Sequence, residues 1–124
     1  MEPHEALAEL SALSSQIEEA AILGESGVVL ASTGAPERGE YLARVAADLL
    51  TAAAEVRADT EVTRGEVRQP SGSVVVVVEA GRTAVATTVP EPTAGLVLYD
   101  LRTALRRLDA APKAKAKRKR STSA

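Results

Sequence analysis

The chain of 124 residues has no cysteine, tryptophan or phenylalanine, and only one histidine, one methionine and two tyrosines. Without cysteine there can be no disulfide framework, no thiolate ligation of zinc or iron-sulfur groups and no thiol nucleophile. Aromatics at 2% of the chain leave little surface for stacking bases. No uninterrupted apolar run approaches the ~18 residues of a membrane helix, and the start Met1-Glu2-Pro3-His4-Glu5-Ala6 lacks the basic and apolar regions of a signal peptide. The reading is of a cytoplasmic chain that is not an enzyme and carries no metal or cofactor.

What is present fits one ordinary globular domain: 45% hydrophobic and 26% charged residues. The formal charge of −2 is unevenly spread. Residues 1–112 hold 9 Arg against 17 acids, a net of −8, while residues 113–124 hold six cations and no acid. The chain divides into an acidic domain over 1–112 and a basic C-terminal tail over 113–124, which the absence of any apolar residue larger than Ala marks as disordered.

Along the domain, Leu7, Leu10 and Leu13 recur at helical spacing and place a first helix from Glu5 to about Ser15, with Ala6 and Ile17 nearby. Two short apolar runs, Ala20 to Leu23 and Val28 to Ala31, flank Glu25-Ser26-Gly27 and read as a β-hairpin. Pro36 is placed for a helix start, and a long Ala- and Leu-rich helix runs from about Arg38 to Ala58. Three strands follow as a meander: Thr60 to Arg68, Val74 to Val78 and Thr83 to Val89. Thr93 can cap a last helix from about Ala94 to Asp109, with Leu98, Leu101, Leu105 and Leu108 as its buried stripe and Pro112 as its stop. The order α-β-β-α-β-β-β-α gives an α+β fold, a five-stranded antiparallel sheet with helices on both faces. Five consecutive valines suit a central strand buried on both sides.

No catalytic constellation emerges. His4 sits near a chain end with no partner in view, and Glu18 and Glu19, neighbours on a strand, point to opposite faces and read as a solvated pair. Gly24-Glu25-Ser26-Gly27 lacks the lysine and the strand-to-helix context of a phosphate loop.

The second helix carries more apolar surface than one sheet face needs. Leu42, Val45, Ala46, Leu49, Ala53 and Val56 form its expected core stripe, and beside it Ala43, Ala47, Leu50 and Ala54 form a seam of small residues. Either the seam is half of a two-fold helix pair in a homodimer, or its alanines only favour helix. The charged third strand admits two readings also: a protected edge, or a strand that pairs antiparallel with its own copy about Gly65 and sets Arg64 opposite Glu66 of the second chain.

The string ILGESGVVLAS, the Ala-Leu-rich second helix and AGLVLYDLRTALRRL together resemble the Roadblock (dynein light-chain) family over about residues 5–110. The resemblance implies a Roadblock/profilin-like fold, a homodimer with paired second helices and joined third strands, and a partner among small Ras-like GTPases. Some bacterial members accelerate GTP hydrolysis without an arginine finger and others only bind or scaffold. Candidate partner contacts, by position on the polar arc of the second helix, are Tyr41, Arg44, Asp48 and Glu55, the other reading being a solvated face with Arg44 and Asp48 as an ion pair. The expected function is a non-catalytic homodimeric module that regulates or scaffolds such a GTPase. The alternative is a dimeric adaptor whose tail cations Lys113, Lys115, Lys117, Arg118, Lys119 and Arg120 touch nucleic acid or anionic membrane. A small-molecule sensor fits less well, because the core offers little aromatic pocket lining.

Overall fold

The computed structural model describes residues 1–110, with side chains described to Leu108. The elements are α1 (Pro3–Leu13), β1 (Ile17–Leu23), β2 (Val29–Ser32), α2 (Pro36–Val56), β3 (Arg64–Gln69), β4 (Gly72–Glu79), β5 (Arg82–Thr88) and α3 (Ala94–Ala110). This is the expected order, and all strand pairs are antiparallel in one sheet of order β2-β1-β5-β4-β3. The tail and Pro112 lie outside the described residues.

Local sequence accounts for the ends of the elements. Pro3 and Pro36 occupy the first helical turn of α1 and α2, where a missing N–H costs nothing. The Glu5 carboxylate reaches back to accept the Glu2 N–H at 3.0 Å. The Thr93 carbonyl closes the first turn of α3 by accepting from Leu96 and Val97, and the Thr93 N–H donates to Gln16 Oε1 at 2.6 Å, which fastens the start of α3 to the segment after α1. Two hairpin turns depend on backbone that side chains rarely adopt. Gly72 has φ of +139°, and a Cβ there would come within 2.0 Å of the Thr88 carbonyl oxygen. At the β4–β5 turn both Ala80 (φ 54°) and Gly81 (φ 80°) are left-handed, the backbone of a two-residue primed turn.

Alternation sorts the sheet residues into two cores. Ala20, Ile22, Val75, Val77, Ala84 and Ala86 meet α1 and α3, whereas Ala21, Leu23, Val76 and Val85 meet α2. The valine run is thus explained by burial on both faces. Its strand is not the middle one, however: β5 holds that place, and β4 lies between β5 and the edge strand β3. Two further expectations need correction. Leu13 is the last residue of α1 and is 72% exposed, with Ala6 joining Leu7 and Leu10 in the core instead. Val56, at the end of α2 beyond the core, is 80% exposed.

Two helices cover one face and a single helix the other. α1 lies on β1 and β2 and α3 on β4 and β5, while α2 rests mainly on β2, β1 and β5. A helix with side chains is about 10 Å across and five strands span about 20 Å, so one helix leaves roughly half its face open. The open half is over β4 and β3, where Val67, the register partner of Val74, stays 43% exposed.

Relieving the strained turn should stabilise the chain. Ala80→Asn, a residue that tolerates left-handed backbone, is expected to raise stability by roughly 0.5–1 kcal/mol in a denaturant melt. An unchanged or lower midpoint would show that the turn carries no strain.

Candidate functional site

The placement of α2 decides which side chains form an outward surface. Gly39 is buried against β2, where a Cβ would lie 2.7 Å from Ser32 Oγ and 3.5 Å from Val29 Cγ1. Only glycine lets the helix settle this close. On the opposite flank Leu49 leans over β3, 3.2 Å from the point where Gly65 would carry a Cβ. These two contacts fix the rotation of the helix about its axis.

At 100° per residue, the face turned to the sheet is Gly39, Leu42, Ala43, Ala46, Leu49 and Leu50, all of them buried or packed against the second core. It is rotated from the expected stripe. Ala43 and Leu50, half of the small-residue seam, pack on the chain's own core, Ala54 is half-buried, and Ala47 alone of the four is exposed. The seam lies toward β2. The flank that looks across the open half of the sheet carries Val45, Ala52 and Val56, with Ala52 and Val56 exposed.

Tyr41, Arg44, Asp48 and Glu55 are all exposed and fall on one outward stripe of α2, beside that β3-facing flank. Arg44 does not sit on Asp48. Its guanidinium lies 5.7 Å from the centroid of the Tyr41 ring, and that of Arg38 lies 5.3 Å from it. The tyrosine is therefore flanked by two cations and stays 49% exposed. Arg64 and Glu66 are exposed on β3, with Glu66 paired to Arg68 at 3.2 Å. Val78 donates to the Thr63 carbonyl, so by the alternation of an antiparallel ladder Gly65 and Val67 bond inward, and the N–H and C=O of Arg64, Glu66 and Arg68 point out of the sheet.

One contact was missed in the sequence. Glu19 is not simply solvated: Arg38 donates to its carboxylate twice, Nε to Oε2 at 3.0 Å and Nη2 to Oε1 at 2.7 Å. Thr87 Oγ1 also reaches Oε1, at 3.5 Å. The hydrogen bonds from Arg38 hold the Glu19 carboxyl below the usual carboxylate range, against the opposing effect of burial. The pair anchors the first turn of α2 to β1 across 19 residues of sequence, a distance at which periodicity carries no signal. Among the described residues no group of three or more His, Cys, Asp or Glu is placed to hold a metal ion, and no helix is long and apolar enough to cross a membrane.

The sequence matches no family model and no curated protein. The structure does have likenesses. A Roadblock/LC7 domain from Streptomyces avermitilis superposes with a TM-score of 0.76 over 89% of this chain and 97% of its own, at 17% identity. The chain has the Roadblock/LC7 fold. The resemblance carried by residues 5–110 is borne out at that level. Myxococcus xanthus MglB shares the Roadblock fold at a TM-score of 0.64, with 14% identity over 90% of this chain and 85% of that one. LokiProfilin2, solved in complex with rabbit actin, aligns at 0.60 with 13% identity, covering 86% and 95%. Identities this low speak to fold alone.

The Glu19–Arg38 pair makes a pH-dependent contribution. A depressed carboxyl pKa adds stability that is complete above the unfolded value of about 4.5 and is lost as pH falls through the folded value. Glu19→Gln is expected to lower the melting temperature by roughly a few degrees at neutral pH and to match the parent once both are measured well below pH 4. A difference that persists undiminished in acid would assign the effect to something other than this ion pair.

Proposed function

We propose that the chain is a non-catalytic, homodimeric Roadblock module of the cytoplasm that regulates or scaffolds a small Ras-like GTPase, which itself brings the nucleotide, magnesium and chemistry. The observation that carries the reading is the half-covered face. The edge strand β3, the exposed Val67 and the exposed flank of α2 lie side by side, and among the described residues no further helix covers them. Burying apolar surface of this kind is the ordinary driving force of association.

A two-fold axis through Gly65 suits both surfaces. The outward N–H and C=O groups of Arg64 would pair with those of Glu66 in the second copy, and their side chains would meet with opposite charge. Gly65 carries no side chain on the α2 side, which leaves room at the axis for Leu49 of each protomer. The helix contact in this arrangement comes from Val45, Leu49, Ala52 and Val56, not from Ala43, Ala47, Leu50 and Ala54, because that seam lies on the β2 side. The stripe of Tyr41, Arg44, Asp48 and Glu55 then rises beside the helix pair and is the contact offered to the GTPase. The fold likeness to Roadblock/LC7 domains and MglB supports a partner of that class.

Two exposed alanines on opposite flanks separate the arrangements. Ala52→Arg is expected to give a folded monomer by light scattering, while Ala47→Arg remains dimeric; the reverse pattern would return the interface to the seam. With the dimer intact, the chain should capture a GTP-loaded small GTPase in preference to the GDP form, and Asp48→Lys with Glu55→Lys should weaken capture about tenfold. Equal retention of the GTPase by the charge-reversed chain would contradict the assigned contact stripe.

A further inference from the structure

The side of the sheet away from α2 carries an apolar patch that neither the dimer nor the GTPase contact uses. Leu13, Leu96 and Tyr99 are 72%, 49% and 64% exposed. Leu13, the last residue of α1, shares a shallow hollow with Asp100 and Thr103 of α3, and the Gln16–Thr93 hydrogen bond holds this end of α1 beside the start of α3. At 100° per residue Gly95 and Leu96 flank Tyr99 on the helix surface, one turn before it. Gly95 is exposed, and nothing lies within 4 Å of where its Cβ would stand, so the first turn of α3 offers bare backbone beside two large apolar side chains.

Charge at this end is of one sign. No lysine or arginine occurs in residues 1–37 or 83–101, which include all of α1 and the first two turns of α3. The same stretches carry Glu5 and Glu9 on α1, Glu91 in the approach to α3, and Asp100 next to Tyr99. The arginines of α3 begin one turn later and are engaged: Arg102 and Arg106 pair with Glu79 of β4, and Arg107 pairs with Glu9. With its cap Glu2, α1 and α3 together hold five acids against these three arginines, a net of −2.

We propose that this patch docks a cationic amphipathic helix of a second protein, its apolar ridge laid over Leu13, Leu96 and Tyr99 and its lysines or arginines turned to Asp100 and the carboxylates around it. Glu9 reaches Arg107 while Leu13 lies by Asp100, so α1 and α3 run antiparallel and the hollow between them is a groove along both. A third helix seats in such a groove through side chains at i, i+3 and i+4, and Gly95 lets its backbone come close. Apolar burial gives the contact its strength, while the surrounding charge selects the sign of the partner. Like charge disfavours a second copy of this face, and it repels an anionic lipid surface or a phosphodiester backbone equally. The chain's own lysine-rich end has no apolar residue larger than Ala with which to cover the patch. The contact uses side chains of one protomer and does not depend on the dimer proposed above.

The probe is a fluorescein-labelled peptide of about 18 residues made of leucine and lysine, its leucines at i, i+3, i+4 and i+7 on one helical face. The full chain should bind it with a Kd on the order of 10 μM at low salt, about tenfold more tightly than a scrambled peptide of the same composition or one with glutamate in place of lysine. Gly95→Lys fills open space and adds a cation, so it should weaken binding about tenfold and leave the thermal melt in place. Leu13→Ser with Tyr99→Ser, both at exposed positions, should weaken it to a similar extent. Tyr99→Trp, in a chain that has no other tryptophan, should shift its emission to the blue on peptide addition, and Tyr41→Trp on the opposite face should not. Equal binding of the scrambled or glutamate peptide would overturn the proposal, as would full affinity in Gly95→Lys and in the double serine variant. A Tyr99→Trp emission that moves blue with protein concentration alone would give the patch to a second copy instead. One that is blue without peptide and reverts when the six C-terminal cations are changed to glutamine would give it to the chain's own end.

Discussion

A sheet buried on both faces by small aliphatic residues, with two helices on one side and one on the other, is the constraint from which the rest of this molecule follows. The inner strands contribute Ala20, Ala21, Val75, Val76, Val77, Ala84, Val85 and Ala86, each exposed by 1% or less. Such short side chains bring helices close, and where even Ala is too large Gly39 admits α2 onto Ser32. Close approach on a diagonal fixes where α2 lies, and its width then determines what remains uncovered. The open strip beside β3 is therefore a geometric remainder of the fold and not an accident of one exposed residue.

Much of this was legible in the sequence. Turn residues and apolar periodicity gave the element order, the two-faced sheet and the buried stripe of α3, where Leu101, Leu105 and Leu108 are fully enclosed. What periodicity could not supply was the strand order. Five valines report burial on two faces, and β4 has that burial without being the middle strand. The same gap misplaced the seam on α2: helical spacing yields an apolar arc wider than the core needs, and only the contacts of Gly39 with β2 and of Leu49 with β3 show which part turns inward. The Glu19–Arg38 pair was invisible for a related reason, since two residues far apart in sequence meet only once β1 and α2 have been stacked.

The absence of cysteine, tryptophan and phenylalanine first served to exclude chemistries. In the structure it has a constructive side. A core of short side chains packs thin layers, and the polar stripe of α2 carries Tyr41 between the guanidinium groups of Arg38 and Arg44. A Roadblock/LC7 domain, MglB and a profilin solved with actin share this fold, and a fold by itself does not name a function.

The central claim is that the β3 edge is completed by a second copy of the chain. Amide hydrogen exchange at Arg64 and Glu66 tests it most directly, because the N–H groups of these residues point out of the sheet and have no acceptor within the ladder to β4. If the account is right, both amides exchange slowly at high protein concentration and lose that protection on dilution, while Gly65 and Val67, bonded to β4, change far less. Fast exchange at Arg64 and Glu66 at every concentration would contradict it.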